Sequence, residues 1–327
     1  MDKPAMDSAF LGPLTGGAAD PTYAGALSFM RRRYSRDFAA ADVVVWGVPF
    51  DQAVTNRPGA RFGPQAIRRA SAIFDGDPQY PSGLDPFARL RVIDAGDALF
   101  DVGYPSSVAP AIAAQVAQML DSGCHLVTLG GDHFITLPLL RAHVRRHGPL
   151  ALVQFDAHQD TWPDAGDRLS HGTFVTRAVA EGLIDPARSI QIGIRTVAPE
   201  NFGIAIVDGY TAAGLTPAGL AQAVRERVGR GPAYLTVDID VLDPAFAPGT
   251  GTPVSGGLSS GHLLATLWAL RDMDWRGMDV VETSPPYDHA DITAIAASSV
   301  VQHYMQILAH RQALNGQLCG ATSAWGE

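Results

Sequence analysis

The stretch Leu150-Ala151-Leu152-Val153-Gln154-Phe155-Asp156-Ala157-His158-Gln159-Asp160 passes from a mostly apolar run directly into ligand-type side chains. Its first half has the length and composition of a strand buried on both faces, as strands of a parallel sheet are. Its second half sets Asp156, His158 and Asp160 at i, i+2 and i+4, the spacing that turns side chains to one face of extended chain. The pattern recurs along the chain. Gly130-Gly131-Asp132-His133 follows the apolar His125–Leu129, Asp238-Ile239-Asp240 follows Tyr234–Val237, and Glu282 follows Met278–Val281. In an open parallel sheet the C-terminal strand ends lie along one edge, so these distant segments are predicted to converge there.

Working outward, strands are expected at Asp42–Val48, Arg91–Ala95, His125–Leu129, Leu150–Phe155, Ser189–Ile194, Ala233–Ile239 and Met278–Glu282, with Ile204–Val207 a weaker candidate. Helices are expected near Pro64–Ser71, Val108–Ser122, Thr136–Arg146, Gly172–Glu181, Pro217–Val228, Ser260–Arg271 and Asp291–His310. This alternation reads as an α/β fold, a mainly parallel sheet with helices on both faces. No internal repeat or long linker divides it. A flexible arm over 1–20, one catalytic domain over 21–312 and a tail over 313–327, mobile or against a neighbouring subunit, account for the chain.

Composition narrows the function. The 327 residues are 46% hydrophobic, ample for a large core, and the net charge of −9 argues against nucleic-acid binding. The cluster Arg31-Arg32-Arg33 is read as a solvated helix end. Two cysteines, Cys124 and Cys319, exclude a disulfide framework and fit a cytoplasmic protein. The N-terminal segment lacks a signal-peptide pattern, and no apolar run approaches the ~20 residues of a membrane span.

An isolated aspartate after a strand is ordinarily a loop or capping residue. Four beside apolar strands are another matter, because burying unpaired carboxylates together is expensive and a metal cluster is the natural counter-charge. Asp156, Asp160, Asp238 and Asp240 supply four negative charges, which two divalent ions balance, and His133 and His158 add neutral ligands. The oxygen-rich, thiolate-free set suits manganese, with nickel or another first-row ion open.

With these motifs the chain resembles the ureohydrolase family of arginases, agmatinases and other guanidine hydrolases, and its agmatinase branch most. The resemblance runs from Trp46-Gly47-Val48-Pro49-Phe50-Asp51 through the Asp- and His-bearing segments to Asp238-Ile239-Asp240-Val241-Leu242-Asp243-Pro244 and Glu282. It implies a three-layer α/β/α sandwich assembled as trimers or hexamers. By the same likeness, Asp156 and Asp238 bridge two metals, His133 and Asp160 complete one site, and His158 and Asp240 the other. Glu282 then matches the glutamate that holds the guanidinium, and His171 the active-site histidine.

The chemistry follows from the substrate class. A guanidinium carbon resists neutral water, whereas two metal ions lower the pKa of a shared water from ~16 towards ~7 and provide hydroxide. Asp160 is placed to pass a proton to the leaving nitrogen, and urea and an amine result. The loop between Asp160 and His171 is expected at the pocket mouth, with Trp162 over the substrate's methylenes and Asp164 and Asp167 attracting an ammonium. Agmatine, giving putrescine and urea, is therefore the first expectation.

Thr283 and Ser284 stand where the agmatinase-like members have small apolar residues, and Val241 replaces a frequent cysteine. These departures place Thr283 among the substrate-contact candidates. They keep open guanidinobutyrate, guanidinopropionate, N-alkylated guanidines or a biguanide such as metformin. They also keep open a catalytically silent subunit paired with a homologue. A cysteine-nucleophile mechanism is disfavoured, since Cys124 precedes an apolar strand and reads as core.

Overall fold

The computed structural model describes residues 7–322 apart from 19, 75, 76, 165 and 167, with side chains through residue 313. Nine strands form one sheet: β1 (Arg33–Tyr34), β2 (Val43–Gly47), β3 (Val92–Asp97), β4 (His125–Leu129), β5 (Ala151–Phe155), β6 (Ile190–Ile194), β7 (Ala205–Asp208), β8 (Ala233–Asp238) and β9 (Trp275–Val281). Their order is β1-β3-β2-β4-β9-β8-β5-β6-β7, and every neighbouring pair is parallel. β4, β9, β8 and β5, whose ends carry the ligand-type segments, are therefore consecutive in the middle of the sheet.

The helices are α1 (Ser8–Leu11), α2 (Gly63–Ala70), α3 (Pro105–Asp121), α4 (Thr136–His147), α5 (Phe174–Ala180), α6 (Gly209–Gly214), α7 (Pro217–Val228), α8 (Ser260–Ala269) and α9 (Ile292–Thr322). Alternation along each strand divides the core into two layers. Val43 and Val45 of β2 join one with α2, α7, α8 and α9, while Val44 and Trp46 join the other with α3, α4 and α5. The result is the expected α/β/α sandwich. None of the described helices is long and apolar enough to cross a membrane.

Local signals set the element ends. α7 starts with Thr216 accepting from the Gly219 amide at 3.1 Å and Pro217 in its first turn, and stops at Gly229, whose φ of 67° is open to glycine. Its bounds and those of β4 match the sequence reading. β1 and α6 were not anticipated, being short. The helix expected from Gly172 begins only at Phe174, because His171–Thr173 forms a tighter 3-10 turn.

One expectation is corrected. Arg31 and Arg32 are not solvated: each is 2% exposed. Arg31 donates to the Pro21, Thr22 and Ala26 carbonyls, and Arg32 donates to Gly16 O and lies 3.9 Å over the Phe87 ring. Guanidinium groups tolerate burial when carbonyls and an aromatic face replace water. Within the expected arm, Gly16 N donates to Phe87 O at 2.8 Å, and Val92 N donates to Leu14 O at 3.3 Å. At the other end α9 runs through Thr322, past residue 312; residues 323–327 lie outside the described residues.

Candidate metal centre and guanidinium site

At the end of β4, Gly131 passes so close to Phe50 that a Cβ there would sit 1.9 Å from its carbonyl oxygen. Only glycine permits that approach. Asp132 then caps the turn carrying His133, its Oδ1 accepting from the Phe134 amide (3.1 Å) and its Oδ2 from the Ala53 amide (2.8 Å). Asp132 is thus structural. It also anchors the segment that brings Thr55 to the site.

His133 projects Nδ1 towards Asp156 Oδ2 at 3.0 Å, Asp160 Oδ2 at 3.1 Å and Asp238 Oδ2 at 3.2 Å. His158 Nδ1 lies 3.0 Å from Asp240 Oδ2 and 3.5 Å from Asp156 Oδ1. The two oxygens of Asp156 therefore face different imidazoles, and this carboxylate joins the two groups. Asp238 turns Oδ2 to the first group, while its Oδ1 accepts from the Asp240 amide at 2.9 Å. The ligand atoms of His133, Asp156 and Asp238 lie within 4.8 Å of one another, as do those of Asp156, His158 and Asp240.

The atoms themselves test whether metal ions fit. His133 Nδ1 is buried and makes no hydrogen bond despite its carboxylate neighbours. A single imidazole proton cannot serve three carboxylates, whereas a lone pair and three anionic oxygens around a common point suit a cation. Electrostatics agree. Burial opposes charge on His158, but Asp240 and Asp156 overcome it and push it up to about 12; His133 is raised well above the ordinary range against burial by Asp156, Asp160 and Asp238. Burial and the Asp156 charge push Asp160 up to about 6, and burial with Asp240 and Asp156 raises Asp238 strongly. A cluster that retains protons this firmly will release them to a divalent ion.

Glu282, beyond β9, is fully buried. Its Oε1 accepts from the His133 amide at 2.9 Å and pairs with His171 Nδ1 at 2.8 Å, while Oε2 is buried without a partner among the described residues. Glu282 and Asp160 have φ of 63° and 52°, left-handed values that cost non-glycine residues energy and concentrate at functional sites. The Thr55 hydroxyl and amide lie 2.8 and 3.1 Å from His171 Nε2, while Nδ1 faces Glu282. Burial disfavours the charged ring, but Glu282 outweighs it and pushes His171 up to about 9.

A cavity of about 390 Å³ opens over the cluster, and Thr55, His158, Asp160, Trp162, Asp164 and His171 are among its walls. Glu282 and Thr283 are absent from them. Glu282 lies behind His171 with Oε2 3.4 Å from where a Gly251 Cβ would be, and Thr283 packs beside Gly63. Asp164 reaches the mouth but is ion-paired with Arg177 of α5 at 2.7 Å, a partner the sequence did not reveal. Asp167 lies outside the described residues. A larger cavity of about 700 Å³ beside the ends of β6 and β7, lined by Val197, Ile206 and Tyr210, holds no such ligand cluster among the described residues.

This combination of parallel sheet and paired carboxylate–imidazole groups defines a class. Residues 41–306 match the arginase family, and the chain belongs to it, a hydrolase of carbon–nitrogen bonds in amidine groups. Among individual relatives it is 49% identical over 290 residues to an agmatinase of Chromobacterium violaceum, covering 88% of this chain and 90% of that one. The crystal structure of a hypothetical agmatinase from Burkholderia thailandensis superposes with a TM-score of 0.92 at 49% identity, over 94% of this chain and 98% of that one. Proclavaminate amidino hydrolase from Streptomyces clavuligerus gives 0.84 at 40% identity, over 89% and 99% respectively.

Proposed function

We propose that the chain hydrolyses agmatine to urea and putrescine at two divalent ions. The observation that carries this reading is Asp156, whose two oxygens face the imidazoles of His133 and His158. Asp156 and Asp238 would serve both ions, His133 and Asp160 one of them, and His158 and Asp240 the other. Four carboxylates balance two divalent charges, and the donor set favours manganese. Such ions lower the pKa of water to ~7, so that a nucleophile is available at neutral pH.

The protein's own groups do the rest. Glu282 offers Oε2 to guanidinium N–H groups, a charge-assisted contact within a buried site. Once the guanidinium engages that carboxylate, the amide of Thr55 favours a neutral His171 with an acceptor at Nε2. Asp160 passes the proton given up by the attacking water to the leaving nitrogen as the carbon–nitrogen bond breaks. Water adds to the guanidinium carbon, and urea and a protonated amine leave. At the mouth, Trp162 covers the methylenes and Asp164 keeps Oδ2 for the distal ammonium, its Oδ1 being engaged by Arg177.

One observation favours a second reading. Arg168 also lines the mouth, and its side chain has no acidic partner among the described residues, which suits a carboxylate-tailed guanidine such as 4-guanidinobutyrate or 3-guanidinopropionate. Urea release by the manganese-loaded chain from agmatine, both acids, arginine and an N-alkylated guanidine decides between them. The highest kcat/KM should belong to agmatine; a higher value for a carboxylate-tailed guanidine replaces the substrate and leaves the reaction class intact. Urea from none of them, with metal bound, would mark a silent subunit. We assign the working form as a homo-oligomer, a trimer or hexamer, in the cytoplasm.

A further inference from the structure

Beneath the metal-ligand layer runs a second polar row. Thr128 of β4 is paired with Asp279 of β9, Asp279 with Thr236 of β8, Thr236 with Gln154 of β5, and Gln154 with Gln191 of β6. All five side chains are 0% exposed. Polar groups in the middle of a sheet are costly unless each is hydrogen-bonded, so an in-register row of them calls for a purpose. Gln154 and Thr236 stand two residues before Asp156 and Asp238, hence on the same face of their strands.

The hydrogen bonds show what the row reaches. Gln191 donates to Gln154 Oε1 at 2.8 Å, and Gln154 Nε2 donates to Asp156 Oδ2 at 2.7 Å. On the other side Asp279 takes three hydroxyl donors: Thr236 Oγ1 at 2.5 Å on Oδ1, and Thr136 Oγ1 and Tyr234 OH, each at 2.9 Å, on Oδ2. Thr236 has spent its one hydrogen on Asp279. Its oxygen can therefore only accept from His133 Nε2, 2.8 Å away. When Nδ1 gives up its proton to a metal ion, the remaining proton of His133 is held on Nε2, and the lone pair of Nδ1 faces Asp156, Asp160 and Asp238.

We infer that Asp279, acting through Thr236, is a positioning residue that sets the tautomer of His133 and thereby the affinity of the metal group His133 completes. The inference rests on the two-metal reading above. It gives a role to an aspartate buried inside an apolar strand, which packing alone would not select, and it follows the general rule that an imidazole ligand is fixed by the acceptor on its other nitrogen.

Manganese titration of the full-length chain tests it with Thr236→Val, which removes the hydroxyl at nearly constant shape, and Thr236→Ser, which restores it. Wild type should bind two ions. Thr236→Val should bind one as wild type does and the other ~10–100-fold more weakly, while Thr236→Ser stays within about threefold of wild type. A merely structural role would lower the melting temperature of the metal-free protein in both variants and leave the two affinities alike. Should Thr236→Val fail to fold, Asp279→Asn carries the same expectation, since the charge that fixes the hydroxyl is gone. Both ions binding as in wild type in whichever variant folds overturns the inference. Fewer than two ions in wild type overturns the two-metal reading and the inference with it.

Discussion

Glu282 concentrates the residue-scale argument. It is fully buried, sits at a left-handed φ, and has one oxygen engaged by His133 and His171 while the other has no partner among the described residues. An unpaired buried oxygen is tolerated where a ligand completes it, and a planar cation with several N–H donors is the complement. Glu282→Gln removes the charge without altering the shape. It should retain the same manganese content and lose at least ~100-fold in kcat/KM for agmatine, as expected for a buried charge-assisted contact worth ~3 kcal/mol. Metal analysis alongside steady-state kinetics checks this, and loss of metal with unchanged KM would reassign Glu282 to the ions.

Among the elements, the turn after β4 carries the tightest constraint. Gly131 lies where any Cβ would strike the backbone of Phe50, and Glu282 N donates to Gly131 O at 2.7 Å, so this turn also fixes the approach of β9. Gly131→Ala should destabilise the fold by more than ~3 kcal/mol, or prevent folding, because backbone must move on both sides. A urea melt within ~1 kcal/mol of wild type would show that the turn relaxes freely. The sequence made this region legible because each ligand segment follows its own apolar strand, and a parallel sheet aligns such ends. It left hidden whatever depends on register or on a loop's path. The row from Thr128 to Gln191 becomes visible only when five strands are aligned; Thr55 comes from a loop without periodicity; Arg177 reaches Asp164 from the next helix. Arg31 and Arg32 misled because their satisfying carbonyls, Pro21 and Gly16 among them, belong to an N-terminal segment whose path no pattern predicts.

At the scale of the whole molecule, stability is tied to pH through histidines away from the metal cluster. Burial pushes His125 down to about 3 and His143 down to about 4, the former beside the Tyr304 hydroxyl at 2.8 Å. Their folded values lie below the unfolded ~6.5, so the stability they confer is complete above pH ~6.5 and is lost as acid protonates the unfolded chain first. Each contributes a loss of about 2 kcal/mol between pH 7 and pH 5. His125→Asn should lower that loss by about this amount in urea melts at the two pH values; an unchanged pH dependence would mean that His125 is not held neutral in the folded chain. The dependence of the chemistry on two ions at one ligand cluster is tested most directly by titrating the metal-free chain with manganese(II) and recording urea release from agmatine at each ratio of ion to chain. Activity should appear with the second ion and level off at two per chain; full activity with one ion, or two ions bound and no urea from agmatine, would contradict the account.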